Sequence, residues 1–440
     1  DKATLGTSLQ VADDTEATKL INYIHGYDKL CSGTLTPCYQ NSECTSPATC
    51  ESMSGYRTRT VKVETVDTTA RVWKLGDVLN STPKIASWLP LNTYHKVYDD
   101  TTYGEKDTDP SLDATPVESR YITATTYKNK NMVFAGANDG MLHAFKLGTL
   151  GLKWTGQTTT QKATLGKHCS NPSYKPCVSG AIAGGCTADS DTCDTETDLG
   201  KEVWAFIPKN ALPYLKYTAD IGYCHVYSVD LTPYVFDASI KIDTDLNNDG
   251  TNDQSITDCN TASYSDYWRC TKSVDSWRTI LIGGMRFGGA CRNNGVACNS
   301  VGGKAGTCSN APGTACDVAA DCATPAPAGT CLPNCVNTPI AGNGFSSYFA
   351  LDITDQNNPT LLWEYTSADN DLGFTTTGPA LVRINARKGD TPGTTTTSIK
   401  DDGTNGRWFV IFGSGPTGPI ETGTQQFLGV SDQRLSIFIL

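Results

Sequence analysis

The segment Asn131–Lys146, NMVFAGANDGMLHAFK, constrains the fold of this chain more than any other stretch. Two apolar runs, Met132–Phe134 and Met141–Phe145, flank an Ala-Asn-Asp-Gly turn. Asn and Gly tolerate the positive φ that a tight hairpin turn needs. The pattern therefore predicts two short antiparallel strands joined by a hairpin, followed by a glycine turn and Trp154.

Strand-and-turn segments of the same kind recur along the chain. They lie at 200–208, 277–284, 348–355, 361–365 and 408–415. The 41 glycines and the low charged fraction of 18% favour turns and short strands over long helices. Together these features predict an all-β fold, a quinoprotein-like β-propeller whose blades are small antiparallel sheets.

The amino-acid sequences of these segments are also similar to those of a known family. Asn138–Phe145, NDGMLHAF, resembles the hallmark segment of the PilY/PilC family, the large tip-associated proteins of type IV pili. Further segments resemble that family in the same order: a first strand at Arg71–Pro83, then Gly200–Pro208, Trp277–Gly284, Tyr348–Asp355, Leu362–Glu364 and Trp408–Gly415. The resemblance implies a propeller that is incomplete in this chain, because Leu435–Leu440 reads as a strand and the family continues beyond it.

The distribution of cysteines and strand segments predicts two parts. We expect residues 1–70 to hold a short N-terminal helix and a first cysteine-rich knot. Residues 71–440 are expected to form the propeller, with cysteine-rich insertions at about 155–199 and 290–343. Because the family joins the segments around the first insertion by a short turn, the resemblance implies a knot grafted into a blade loop.

Two local predictions complete this division. The helix is predicted over Asp13–Gly26, because Asp13 and Glu16 can form a capping box and Gly26 can end a helix. The stretch Tyr98–Pro116 is acidic and rich in Pro and Thr, and we expect it to be a surface loop.

The 18 cysteines occur in clusters and never as Cys-x-x-Cys, which predicts disulfide bonds and gives no support for zinc or c-type haem sites. We therefore expect an extracellular protein, exported through the periplasm, and a processed chain or fragment, since no signal peptide precedes Asp1. The clusters at 31–50, 169–193 and 308–331 read as versions of one small knot. Such a knot can be a recognition module or a protease-resistant decoration, and its pairing stays open.

The net charge of −11 and the pI near 5.0 argue against a nucleic-acid partner, which would need clustered Lys and Arg. No apolar run approaches the roughly 18 to 20 residues of a membrane-spanning helix. The sequence therefore predicts neither nucleic-acid binding nor a membrane span.

The stretch Asp245–Asp253, DLNNDGTND, has the sharpest chemical motif. Its oxygen-bearing residues occupy positions 1, 3, 5, 7 and 9 of a calcium loop, namely Asp245, Asn247, Asp249, Thr251 (through its backbone carbonyl) and Asp253. Gly250 permits the sharp turn at position 6. Ile256 stands where an EF-hand has its bidentate Glu, and no flanking helices are predicted, so the loop resembles instead the helix-free calcium loop of PilY-type propellers. The alternative is a cluster of solvated Asx turns.

We expect a binding protein, not an enzyme. The five histidines form no catalytic constellation, and His143 is expected to be packed or hydrogen-bonded in its strand. The resemblance implies a calcium-binding (Ca²⁺) protein of the pilus tip that acts with minor pilins in pilus assembly, retraction control and adhesion to a host or surface receptor. Alternatives are a secreted quinoprotein-like dehydrogenase, although its Cys-Cys pair is absent, and a secreted disulfide-knot protein that binds carbohydrate or matrix.

Overall fold

The protein is represented by a computed structural model. It describes residues 2–9, 11–61, 71–105, 120–128, 130–147, 149–153, 162–166, 200–221, 223, 227–245, 249–253, 259, 264–288, 306–308, 311–316, 319–324, 327–329, 331–333, 346–366, 372–384, 403–416, 420–421, 426–427 and 434–440.

The described helices are short. The α-helices are α1 (Lys2–Leu9), α2 (Asp14–Ile24), α3 (Tyr94–Val97), α4 (Thr125–Lys128) and α5 (Leu215–Ala219). Short 3₁₀-helices lie at Asn41–Glu43, Tyr121–Thr123, Lys209–Tyr214, Tyr264–Arg269, Val274–Ser276 and Ala319–Cys322.

Strands make up most of the regular structure. They are β1 (Lys29–Cys31), β2 (Cys50–Ser52), β3 (Thr60–Val61), β4 (Arg71–Val72), β5 (Lys84–Ser87), β6 (Asn131–Gly136), β7 (Leu142–Lys146), β8 (Thr149–Lys153), β9 (Lys162–Gly166), β10 (Glu202–Phe206), β11 (Tyr234–Ser239), β12 (Trp277–Gly284), β13 (Gly306–Cys308), β14 (Ala311–Cys316), β15 (Cys331–Pro333), β16 (Ser347–Asp352), β17 (Thr360–Thr366), β18 (Ala380–Ile384), β19 (Arg407–Gly413), β20 (Ile420–Glu421), β21 (Gln426–Phe427) and β22 (Ile437–Ile439).

Three antiparallel sheets form the centre of the molecule. Sheet A has the order β5-β6-β7-β10, sheet B has β11-β12-β16-β17, and sheet C has β18-β19-β22. In each sheet the strands that pair follow one another along the chain, apart from the strands of inserted segments, so each sheet is a meander. The expectation of a β fold with disulfides is confirmed, and the described pairing does not close into a barrel.

The sheets pack face to face in the order A, B, C. Phe134 and Leu142 of sheet A lie in one apolar cluster with Leu281 and Phe349 of sheet B. The opposite face of sheet B packs against sheet C. There Trp363 of β17 lies in the same apolar clusters as Val410 and Phe412 of β19. Burial on both faces explains why Ile280–Ile282 of β12 are consecutive apolar residues instead of alternating with polar ones.

The predicted hairpin is the centre of sheet A. Its strands, β6 and β7, pair with Phe134 opposite Ala144, and Gly140 turns the chain with a φ of +98°. The chain leaves sheet A after Lys146 and returns to it with β10. The Lys146 carbonyl accepts a bond from the Gly200 N–H at 2.8 Å, so the two ends of the insertion meet. The stretch at Leu152 belongs instead to a separate hairpin of β8 with β9.

The second insertion is also grafted between paired strands. β12 pairs with β16, so that Gly284 lies opposite Tyr348, and the Met285 N–H donates to the Ser347 carbonyl at 3.1 Å. The strands described between them, β13 to β15, pair with one another in a separate sheet. An insertion closed in this way lengthens a loop at modest entropic cost and leaves the sheet intact.

The strand predicted over Arg71–Pro83 was wrong for most of its length. Only Arg71–Val72 is a strand there, and the segment that follows forms isolated hydrogen bonds, several of them to side chains, instead of pairing as a strand. The Gly76 N–H donates to the Asp139 carboxylate at 2.7 Å, and the Asn80 N–H donates to Asp230 at 3.1 Å. Because these acceptors lie far along the chain, the sequence pattern could not reveal them.

The N-terminal region contains the predicted helix and one that was not predicted. Asp13 caps α2 by accepting from the Glu16 N–H at 2.8 Å, and Gly26 follows its end with a φ of +93°. The additional helix, α1, has a glycine at its centre and little amphipathic pattern. Leu9 of α1 packs with Leu20 of α2 and with Leu215 of α5, so the N-terminal region is joined to the segment after sheet A.

Two of the three predicted knots fall in described parts of the chain, and they share features. In the first, disulfides join Cys31 to Cys44 and Cys38 to Cys50. In the third, Cys308 pairs with Cys322, again the first cysteine with the third. The first and fourth cysteines also face each other across paired strands in both, Cys31 opposite Cys50 and Cys308 opposite Cys331. The second knot, 169–193, lies outside the described residues.

The prediction that Tyr98–Pro116 is a surface loop was wrong for its first part. Asp100 and Tyr103 are fully buried. Asp100 forms an ion pair with the buried Lys272 and lies 3.6 Å from the Arg383 guanidinium. A carboxylate can be buried when cations and donors surround it, which composition alone does not show. Residues 106–119 lie outside the described part of the chain.

Candidate functional site

The predicted calcium loop follows β11 and is attached to the start of β12. At its base, Asp243 accepts hydrogen bonds from the Asp245 N–H at 3.3 Å and from the Ser273 hydroxyl. Ser273 is the N-cap of the 3₁₀ turn Val274–Ser276, which leads directly into Trp277. The loop therefore begins at a point held by sheet B.

The described part of the loop, Asp249–Asp253, folds back onto Asp245 and its neighbour Thr244. The two carboxylate oxygens of Asp245 accept from the N–H groups of Asp249 and Gly250 at 2.9 and 2.7 Å. Gly250 has a φ of +86°, a conformation that favours glycine. The Asp249 carboxylate accepts in turn from the Thr251 N–H at 2.9 Å, and the Asp253 N–H closes the loop on the Thr244 carbonyl at 2.7 Å.

The donor chemistry of this loop fits a hard divalent cation. Asp245 is half-buried, whereas Asp249, Thr251 and Asp253 are exposed. Ca²⁺ takes six to eight oxygen ligands, and carboxylates and carbonyls are the ones it prefers. Asn247, the predicted third position, lies outside the described residues. The structure thus places Asp245, Asp249 and Thr251 in one curled turn, with Asp253 at its closing end.

The described carboxylates of the loop do not converge into a group of three. Within the described part of the chain, groups of three His, Cys, Asp or Glu with ligand atoms within 4.8 Å of one another occur only among cysteines: Cys31, Cys38 and Cys44, and Cys308, Cys316 and Cys322. All of these cysteines are disulfide-bonded. Disulfide sulfurs are not thiolates, so neither group is a metal site.

A disulfide closes the segment beside the loop. Cys259 pairs with Cys270, and both are fully buried against Ile242. The disulfide and the Asp243–Ser273 contact therefore attach the loop region to the structure at two points.

A second polar cluster lies at the Asp-Gly hairpin turn. His143 is buried, and its ring nitrogens contact Glu202 at 2.6 Å and Asp139 at 3.0 Å. Burial alone would lower its pKa, but the hydrogen bonds and charges of Asp139 and Glu202 outweigh burial and raise the pKa to about 9. The prediction of a hydrogen-bonded histidine in the strand is confirmed, and the sequence missed its two acidic partners.

A third cluster is buried between sheet B and the segment that joins β5 to β6 of sheet A. Asp237 is fully buried and accepts hydrogen bonds from the hydroxyls of Tyr103, Tyr127 and Thr279 at 2.6 to 2.8 Å. The Lys130 ammonium lies 3.8 Å from the centre of the Tyr127 ring and 4.0 Å from Asp237. Burial lowers the pKa of Lys130 to about 8, although Asp237 opposes this shift. The closed surroundings favour a structural role.

One cavity of about 400 Å³ lies between the N-terminal region and the hairpin turn. It is lined by basic, aromatic, acidic and hydroxyl side chains from several segments, among them Arg57, Trp73, Lys74, Asp77, Asp139 and Tyr223. The volume lies in the range of small-molecule sites. The sequence did not indicate this cavity, because its lining residues come from distant segments.

The comparisons with known proteins do not assign the chain to a family. No protein-family model, no curated protein and no solved structure matches it. None of the helices in the described ranges has both the length and the apolar character needed to cross a membrane.

Proposed function

We propose that this chain is part of a calcium-binding, type IV pilus tip-associated protein, with a role in pilus assembly, retraction control and adhesion. The proposal starts from the resemblance of its β segments to the PilY/PilC family. The observation that carries it is the loop Asp245–Asp253, in which the backbone wraps the carboxylate of the first acidic residue. A loop curled in this way needs little rearrangement to gather oxygen ligands around a cation.

Three features support an incomplete propeller. Sheets A, B and C are consecutive meanders that stack face to face, as neighbouring blades do. The outer faces of the two end sheets are also apolar. Ile85 of sheet A is 52% exposed, and Ile437 and Ile439 of sheet C are 68% and 61% exposed. In a closed ring of blades these side chains would be covered.

A role in binding fits the clusters described above better than catalysis does. Asp237 and Asp139 already accept several hydrogen bonds from neighbouring groups, and the buried Lys130 lies among aromatic rings. The disulfides indicate an oxidising environment, as expected for a protein that acts outside the cell. We therefore propose minor pilins and a surface receptor as partners.

The calcium proposal is tested by calorimetric titration of the chelator-treated chain with CaCl₂. We expect one saturable site in the wild type and at least about a tenfold loss of affinity in Asp245→Asn and Asp253→Ala, since each removes a charged ligand. Asp14→Asn, an exposed carboxylate in α2, is the matched control and should bind like the wild type. Equal heats in the wild type and the loop variants would exclude this loop as the calcium site.

The pilus proposal needs a separate test, because calcium binding alone does not identify a partner. Binding of purified minor pilins is measured with calcium and with chelator, using the wild type and Asp245→Asn. Calcium-dependent capture by the wild type, weakened in the variant, is the expected result. Failure of the wild type to bind any minor pilin under either condition contradicts the pilus assignment, whatever the calcium titration shows.

A further inference from the structure

The cavity between the N-terminal region and the hairpin turn has walls that are held in place. The segment Trp73–Asp77 crosses one side, and a Cβ on Gly76 would lie 2.5 Å from the backbone nitrogen of Asp139. Gly26 similarly leaves room for the stem of Lys74, which lies directly over it. Both glycines allow a closer approach than any other residue would permit. The cavity is therefore shaped by close backbone packing.

Two cations line the cavity without a carboxylate partner in the described residues. The Arg57 guanidinium donates to the Thr218 carbonyl at 3.1 Å and lies 4.0 Å from the centre of the Tyr223 ring. The Lys74 ammonium donates to the Tyr39 hydroxyl at 3.1 Å. These neutral contacts fix the direction of both side chains and leave their charges uncompensated. Arg57 is half-buried, which strengthens its attraction for an anion.

The other charges of the lining are mostly balanced. Arg59 forms an ion pair with Asp28 at 2.7 Å, and both side chains are nearly buried. The Asp139 carboxylate contacts His143, whose raised pKa keeps the imidazole charged at neutral pH. Asp77 contributes a single negative charge against the two free positive charges. The cavity is thus locally positive in a chain with a net charge of −11.

The lining also offers an aromatic surface and hydroxyl groups. Trp73 is 59% exposed, and its indole N–H donates to the Leu75 carbonyl at 2.7 Å, which fixes the ring. Thr58 and Thr60 line the same cavity, with their hydroxyls 3.3 Å apart. A fixed indole beside hydroxyls and a carboxylate can contact the C–H face of a sugar ring while polar groups bond its hydroxyls.

We propose that this cavity binds an acidic sugar, whose carboxylate is held by Arg57 and Lys74 and whose ring packs on Trp73. An arginine fork matches a carboxylate in geometry, and a lysine adds a second positive charge. Thr58, Thr60 and Asp77 carry the hydroxyl and carboxylate groups that can form hydrogen bonds with the hydroxyls of the sugar. This binding site is independent of the calcium loop and of the pilus assignment.

The test is a calorimetric titration of the full chain with D-glucuronate, with D-glucose and with succinate. Glucuronate should bind saturably, and glucose and succinate should each bind at least about tenfold more weakly, since one lacks the charge and the other lacks the ring. The absence of glucuronate binding overturns the proposal. If succinate binds as tightly as glucuronate, the cavity is a simple anion site. If glucose binds as tightly as glucuronate, the cavity does not recognise the charge. Either result also overturns the proposal.

Variants locate the site. Arg57→Gln and Trp73→Leu should each weaken glucuronate binding about tenfold or more, whereas Lys84→Gln, an exposed lysine on β5 outside the cavity, should leave it unchanged. Lys74→Gln provides a second charge variant in case Arg57→Gln unfolds, as judged from its thermal transition. Unchanged binding in folded Arg57→Gln and Lys74→Gln contradicts the proposal. Calcium titrations of the same variants should match the wild type, so the two proposals can fail separately.

Discussion

Individual buried charges in this protein are surrounded by hydrogen-bond donors and acceptors. Asp237 accepts from three hydroxyl groups, and Asp100 forms an ion pair with Lys272 in the interior. Removing one member of such a group is costly, because the remaining charge stays buried without compensation. The same rule explains His143, whose positive charge is stabilised by two carboxylates.

His143 gives a prediction for pH dependence. Its pKa is raised from 6.5 to about 9 in the folded chain, so its contribution to stability is fully present below pH 6.5 and is lost as pH rises through 9. With Glu202 partly exposed, this contribution is about 2 kcal/mol. Urea unfolding at several pH values should show that His143→Gln is less stable than the wild type at pH 6 and that the difference shrinks by pH 10. His25→Gln, at an exposed histidine, is the control. A difference in unfolding free energy between His143→Gln and the wild type that does not change with pH would contradict the prediction.

Short elements depend on glycines for two different reasons. Gly76 lies in the segment that crosses the hairpin turn, where an added Cβ meets the backbone of Asp139. Gly6 lies in the middle of α1, where an added Cβ meets nothing within 4 Å. The first glycine is required by close packing, and the second lowers the helix propensity of its element.

These glycines make a matched pair of substitutions. Gly76→Ala should destabilise the protein by about 1–3 kcal/mol, because the backbone that it meets cannot move freely. Gly6→Ala should stabilise it by up to about 1 kcal/mol, because alanine is the better helix former. Chemical denaturation of both variants measures the two changes. Opposite signs are expected, and destabilisation by both would show that α1 does not tolerate a methyl group at this position.

The cysteine-rich elements show a limit of sequence analysis. Spacing alone predicted the knots but left several pairings open. In the structure the first and third cysteines pair in both described knots, at Cys31–Cys44 and Cys308–Cys322, where paired strands set the register. A disulfide needs its two Cα atoms at a suitable distance, which only the folded backbone determines.

The molecule as a whole is stabilised unevenly. Sheets A, B and C share apolar clusters with fully buried aromatic and aliphatic side chains, among them Phe134, Phe349 and Leu281. The first knot, by contrast, has two disulfides within a short segment and few buried side chains. Small segments of this kind depend on cross-links, because they cannot bury enough apolar surface.

Reduction should therefore act on the parts of the molecule unequally. In mild dithiothreitol, limited proteolysis followed by mass spectrometry should show faster cleavage within 31–50, while peptides from β6 and β7 stay protected. The same digestion without reductant is the control. Simultaneous loss of protection in the knot and in sheet A would show instead that the N-terminal region and the sheets unfold as one unit.

Local patterns were sufficient for several elements of this protein. The hairpin at Asn138–Gly140, the capped helix α2 and the strand β12 were predicted, because turn residues, caps and apolar runs act over short distances. The spacing of acidic residues in Asp245–Asp253 predicts a calcium loop, and this stays a prediction. Each of these features depends on neighbours within a few positions of the chain.

The tertiary structure alone decided which distant residues meet. Asp100 and Lys272 are 172 positions apart, and Arg57 meets Thr218 across 161 positions. Such contacts placed a predicted surface loop in the interior, turned most of a predicted strand into a segment bonded to side chains, and formed the cavity. The burial of a charge or the shape of a cavity depends on what packs around it, and that is set by the whole fold and not by local sequence.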